Sequence, residues 1–146
     1  MARLDSDEFA QKLVQAVNAD TRFAREAQWF DGSILLEDGS SRLWLKIYKG
    51  QVIDHMPFVP PIGFTFKVTG PSEAWDELVD GKKFTDLVLA GTRRFQGVES
   101  VVDGAGLRPG RITFEGNLME AHRVIEAIYL ISEAYASTAQ SQGAAA

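Results

Sequence analysis

Apolar positions along this chain recur with two different periods, and the switches between them mark out the elements. Phe9, Leu13, Ala16 and Val17 fall at i, i+4, i+7 and i+8, one face of a helix. Asp5 is placed to cap that helix, with Glu8 three residues on at the capping-box position. Asp20 or Thr21 begins a second short helix carrying Phe23 and Ala27. Gln28 to Leu36 gathers Trp29, Phe30, Ile34, Leu35 and Leu36 into a strand, and the Glu-Asp-Gly-Ser that follows suits a hairpin. The period then becomes two: Leu43, Leu45 and Ile47 face one way while Arg42, Trp44, Lys46 and Tyr48 face the other, which reads as a half-buried strand. Lys49-Gly50 turns the chain into a third strand, Gln51 to Asp54, and the three strands form an antiparallel meander.

Met56 to Gly63 holds three prolines in eight residues, which removes the backbone donors a central strand needs. Phe64, Phe66 and Val68 then alternate with Thr65, Lys67 and Thr69 in a fourth strand closed by Gly70-Pro71. Pro71 and Ser72 suit a helix start, Trp75, Leu78 and Val79 share one face, and Gly81 fits the end. A further helix spans Thr85 to Ala90. The stretch from Gly91 to Gly110 has no clear period. Ile112 and Phe114 mark a last strand ending at Gly116, and Asn117, with Glu120 at the capping-box position, starts a long helix reaching at least Ala136. The last ten residues are small or polar and are expected to fray, giving one domain over 1–136 and a tail over 137–146.

Composition narrows the function classes. At 146 residues and 16.1 kDa, 45% hydrophobic and 24% charged, the chain suits one globular domain rather than a disordered or fibrous protein. Net charge −5 and pI 5.0 disfavour a nucleic-acid partner, which draws on clustered positive charge. With no cysteine and only His55 and His122, disulfides, thiolate chemistry and multi-histidine metal sites fall away. The first residues are acidic where a signal peptide is basic and then apolar, and no run approaches the ~20 apolar residues of a membrane span. A cytoplasmic location and no membrane span are expected.

The order of elements, together with Phe-Thr-Phe-Lys-Val-Thr-Gly-Pro-Ser-Glu-Ala-Trp-Asp-Glu-Leu-Val-Asp-Gly at 64–81 and Gly-Arg-Ile-Thr-Phe-Glu-Gly-Asn at 110–117, resembles the sterol carrier protein 2 family. The resemblance covers roughly residues 28–136. It implies an α+β fold: a five-stranded, mainly antiparallel sheet with helices packed on one face and a long C-terminal helix. The connection 91–110, longer than the family usually carries, and the proline loop depart from its pattern.

The resemblance also implies a non-catalytic carrier of a hydrophobic ligand, a sterol, fatty acid or acyl-CoA, in an apolar tunnel between sheet and helices. The expected lining is Trp29, Phe58, Phe64, Phe66, Trp75, Leu87, Phe95, Ile128, Ile131 and Tyr135. Nine Phe, three Trp and three Tyr supply enough large side chains for a cavity, and equally for a filled core. On the last helix Val124, Ile128, Ile131 and Tyr135 make one stripe, and Ile125, Tyr129 and Leu130 widen it beyond what one sheet contact buries. A ligand, a second copy of the chain or a partner enzyme could cover the remainder. The loop 56–63, with Met56, Phe58, Val59 and Ile62, forms a hydrophobic rim, a docking site or a flap on its own core.

Asp54-His55 is the one adjacent acid–imidazole pair, but strand neighbours point to opposite faces, so an ordinary pair is the better reading. Arg93-Arg94 suits an anionic headgroup or plain solvation. Gly-Ala-Gly at 104–106 lacks the flanking strand and helix of a nucleotide site. No catalytic residue, metal ligand or cofactor is therefore assigned, and an accessory subunit of a larger enzyme complex, or a small enzyme using the same cavity, stands as the alternative to the carrier.

Overall fold

The structure, a computed structural model, describes residues 3–88 and 111–145. The sequence features at 91–110, Arg93, Arg94 and Phe95 among them, lie outside the described residues. A short 3-10 turn, Arg3–Asp5, leads into α1, Asp7–Ala19. Ser6 rather than Asp5 caps α1, its Oγ accepting from the Phe9 N–H at 3.3 Å. Asp5 is spent in the preceding turn, so the helix begins later than its acidic run suggests. Asp20 caps α2, Thr21–Glu26, as its side chain predicts.

The sheet runs β3-β2-β1-β4-β5. Strands β1 (Gly32–Asp38), β2 (Ser41–Tyr48) and β3 (Gln51–Met56) form the antiparallel meander, β4 (Phe66–Gly70) lies parallel to β1, and β5 (Thr113–Gly116) is antiparallel to β4. The first strand therefore starts later than its apolar run, because Ala27 to Trp29 form a turn after α2. Lys49 (φ 52°) and Gly50 (φ 77°) make the β2–β3 turn with two left-handed residues, the geometry that matches strand twist. Gly50 is also required by packing: a Cβ there would come 2.9 Å from Ala24 Cα in α2.

Every residue of β1 is buried, although the apolar run covers only Ile34 to Leu36. Helices cover one face, where Ile34, Leu36, Leu43, Leu45, Ile47, Phe66 and Val68 join the main core. The proline loop covers the other. It leaves β3 and crosses back over β2 and β1 to reach β4, and the Trp44 indole N–H donates to the Gly63 carbonyl at 2.9 Å. Trp44, on the strand face read as solvated, is consequently 2% exposed. The loop is thus a flap on its own sheet, with Phe58 and Ile62 on its outer side.

Helix α3, Ser72–Val79, buries Trp75, whose indole N–H donates to the Glu37 carbonyl at 2.9 Å. Helix α4 is Phe84–Val88, starting one residue earlier than its apolar run suggests. Asn117 caps the last helical region, accepting from the Glu120 N–H at 3.1 Å. The expected single helix is two: α5, Leu118–Arg123, and α6, Ile125–Ala145, broken at Val124 (φ −115°, ψ 26°). The break keeps both Ala121 and Val124 buried.

Nor does the chain fray after Ala136. Ser137, Thr138, Ala139 and Gln140 continue α6, and the small side chains of Thr138 and Ala139 are buried where α6 meets its neighbours. Part of the apolar face of α6 packs on α1, α2 and α3, while Ile125, Tyr129, Leu130 and Ala136 stay half-buried.

Two polar devices tie the layers together. Asn18, near the end of α1, presents its carboxamide to the free edge of β3: Nδ2 donates to Val52 O at 3.0 Å, and Val52 N–H donates to Oδ1 at 2.8 Å. This imitates a neighbouring strand and, with the register shift opposite Lys46 and Ile47, blunts the edge. At the opposite end of the sheet, Asp38 is fully buried, and the Tyr135 hydroxyl of α6 donates to its Oδ2. Arg3 donates to Tyr135 Oη at 3.3 Å and pairs with Asp76 at 2.8 Å. Burial pushes the Asp38 carboxyl above the ordinary carboxylate range, and Tyr135 and Arg3 restore it only in part. Burial, then the Asp38 carboxylate, pushes the Tyr135 hydroxyl well up. Arg3 is raised because Tyr135 and Asp76 outweigh its own burial.

Asn18→Ala leaves both Val52 groups without their partner and should cost about 1–2 kcal/mol in urea unfolding. Tyr135→Phe removes the donor to a buried carboxylate and should cost about 3 kcal/mol, against under about 1 kcal/mol at the exposed Tyr48→Phe control. A raised Asp38 value means that its contribution to stability is fully present below about pH 4, the unfolded value, and is lost as pH climbs through the folded one. The stability of the native chain relative to Asp38→Asn should therefore fall from about pH 4 toward neutrality; a difference that grows with pH would contradict the burial argument.

Candidate ligand-binding groove

Gly81, with a φ of 110°, ends α3, and the chain turns through Lys82 and Lys83 so that α4 sets Phe84 against α6. Phe84 meets Tyr129 edge-on at 5.5 Å between ring centroids and lies 6.4 Å from Phe114 of β5. Between the α3–α4 connection and α6 this leaves a groove of about 400 Å³, with Leu78, Phe84, Tyr129 and Ala136 as its apolar floor. A volume of this order suits a small ligand. Lys82, Lys83, Glu133 and Gln140 stand at the rim.

Much of the polar chemistry at that rim is engaged. Gln140 donates to Val79 O at 2.8 Å, Ser132 Oγ to Tyr129 O at 2.6 Å, and Glu133 pairs with Arg22 at 3.3 Å. The arrangement can hold an apolar ring or chain on the aromatic floor and leave a polar end in water.

Two neighbouring grooves on α6 differ in character. One, of about 340 Å³, lies against α2 and is lined largely by charge: Arg22, Arg25, Glu26, Glu126 and Glu133. There the Arg22 guanidinium holds the Asp20 carboxyl below its ordinary range, and Asp20 in turn raises Arg22. The other, of about 380 Å³, lies against α1 and is lined by Lys12, Gln15, Ser137 and Ser141 among others. The α4 groove has the most apolar lining of the three.

Of the expected lining residues, Phe66, Trp75, Leu87, Ile128, Ile131 and Tyr135 come together in one buried cluster between sheet and helices. Several are met by other rings: Trp75 lies 4.7 Å from Tyr135, Phe9 lies 5.2 Å from Tyr135, and Phe30 lies 5.9 Å from Phe66. Phe64 is half-buried just before β4. Trp29 is 81% exposed, because it sits in the turn after α2 and not in a strand. Phe58 is 57% exposed on the outside of the proline loop, away from the helical layer. Phe95 lies outside the described residues.

Phe84 and Ala136 were not legible as groove residues. The signals available were the Gly81-Lys82-Lys83 turn before Phe84 and the extra apolar width that Tyr129 gives α6. Asp54 Oδ1 accepts from the backbone N–H of His55 at 2.9 Å, so the pair is a local strand feature rather than a dyad. Among the described residues, no group of three His, Cys, Asp or Glu is placed to hold a metal, and no helix is long and apolar enough to cross a membrane.

No family model and no curated protein matches the chain. Among solved structures, the solution structure of a conserved hypothetical protein from Thermus thermophilus, described as possibly a sterol carrier protein, superposes with a TM-score of 0.61 at 12% identity, covering 94% of this chain and 91% of that one. The crystal structure of sterol carrier protein 2 superposes with a TM-score of 0.61, also at 12% identity, covering 91% of this chain and 97% of that one. The architecture is therefore an α+β layer of helices on a five-stranded sheet. More narrowly, it is the sterol carrier protein 2 fold.

Proposed function

We propose that the protein is a non-catalytic carrier that binds a hydrophobic ligand, a sterol, fatty acid or acyl-CoA, and transfers or presents it. The observation that carries this reading is the α4–α6 groove, an aromatic floor under a polar rim, set in the helical layer of this fold. An apolar body on Phe84 and Tyr129 would be withdrawn from water at roughly 25 cal/mol per Å² buried, against which the cost of association stands. The buried cluster of Leu87, Ile128 and Ile131 belongs to the same helices and is where a longer ligand would extend.

Native mass spectrometry of protein from its own host, followed by organic extraction, should find a co-purifying lipid or steroid. In solution, a fluorescent polyene fatty acid and a fluorescent sterol should bind the ligand-free protein. Ala136→Trp, which fills the groove from the exposed side of α6, should weaken binding by at least about tenfold, roughly 1.4 kcal/mol, with little change in melting temperature. Unaltered affinity in that variant would remove the groove from the binding path, and failure of every hydrophobic probe would end the carrier reading.

A further inference from the structure

Three separate turns converge at one end of the sheet, where β1 and β4 begin and β5 ends. Ser33 O accepts from the Thr65 N–H at 2.9 Å, and Thr65 O accepts from the Asn117 N–H at 2.9 Å, so these turns are stitched side by side. Each carries large apolar side chains into solvent: Trp29 before β1, Ile62 at 78% exposure before β4, and Leu118 and Met119 at 47% and 84% after β5. None is needed by the core. Exposed apolar residues scattered singly are ordinary, but these four project from three turns held side by side at one end of the sheet.

We propose that this end of the sheet docks shallowly on the surface of a lipid bilayer. Residues on separate turn tips offer a folded partner no continuous strand or helix face, whereas a fluid interface can take each tip independently. Trp29 is the side chain best suited to that boundary, having a large apolar ring with one polar N–H.

Charge distribution favours the same orientation. Near the apolar end Asp31 pairs with Lys46 at 3.0 Å, Glu120 with Arg123 at 2.8 Å and Glu26 with Arg25 at 3.9 Å, and Glu126 lines a groove with Arg22 and Arg25. Lys49 adds a cation there, over the Tyr48 ring. Asp5, Asp7, Glu73 and Asp76 stand instead around the opposite end, beside Arg3 and the β1–β2 hairpin, in a chain of net charge −5. An anionic leaflet would thus repel one end and accept the other. The proposal rests on the carrier reading for its purpose, since a carrier must load and unload at lipid, but not for its evidence.

The test uses the full chain without ligand and vesicles of phosphatidylcholine with and without phosphatidylserine. Flotation should show the native chain on vesicles, and bromine-labelled lipids should quench its fluorescence through Trp29, because Trp44 and Trp75 are buried in the fold. Trp29→Phe should abolish the quenching, and Ile62→Asp with Met119→Asp should lower partitioning by at least about tenfold while leaving the melting temperature in place. No association with either vesicle, or association without quenching, overturns the proposal. Lipid-free self-association that the same double variant abolishes also overturns it, assigning the patch to a second copy. Fluorescent-probe binding in lipid-free solution is scored separately: its failure with vesicle association intact removes the carrier reading and leaves the docking face standing.

Discussion

Because β1 is buried on both faces, the chain has to provide two covers for it, and most of the architecture follows from that demand. On one side the helices bring Phe9, Leu13, Phe23, Trp75, Ile128 and Ile131 onto Ile34 and Leu36. On the other, the proline loop crosses β2 and β1 and closes over Leu35 and Trp44. A crossing segment with three prolines has few backbone donors to satisfy, so it can lie flat on a sheet without pairing to it. Its route also explains why β4 comes to lie parallel to β1: the chain returns across the sheet before it pairs.

Burying the end of β1 places Asp38 out of water, and the long helix answers that cost. Tyr135 reaches from α6 to Asp38, Arg3 supports Tyr135 from the N-terminal turn, and Asp76 of α3 holds Arg3. Four segments distant in sequence are thereby fixed at one point. A buried carboxylate with charge-assisted donors specifies position more than it adds stability, because desolvation opposes the gain. The same helix therefore has a far half tied at Tyr135 and at Gln140, and a nearer half whose Tyr129 forms the groove floor.

The groove and the exposed apolar tips sit on different parts of this frame. The groove depends on α4 being carried onto α6 by the turn at Gly81, so it belongs to the helical layer. The apolar tips belong to the sheet and are held by backbone hydrogen bonds between neighbouring turns. A substitution in the helical groove and one at the strand-end tips can consequently be made independently of each other.

The strands β2 and β4, the faces of α1 and α3, the Asp20 and Asn117 caps and the two-residue turn at Lys49-Gly50 were all legible in the sequence, because each is set by local periodicity or by one side chain bonding a backbone group nearby. The resemblance carried on 64–81 and 110–117 led to the right fold. Other features depend on partners far along the chain. Trp44 alternates as a solvated residue and is buried only because the proline loop lies on it. Ser137 to Gln140 look like a fraying tail and are helical because small side chains let α6 pack against its neighbours. Trp29 has the composition of a strand residue, yet it stands in solvent because the turn after α2 ends before β1 begins. Phe84 and Tyr129 share a groove that neither segment implies alone. Period and capping act over a few residues and survive in the sequence as pattern; covering a surface, closing a groove or leaving a tip in water is decided by which distant segment arrives there, and only the folded chain contains that information.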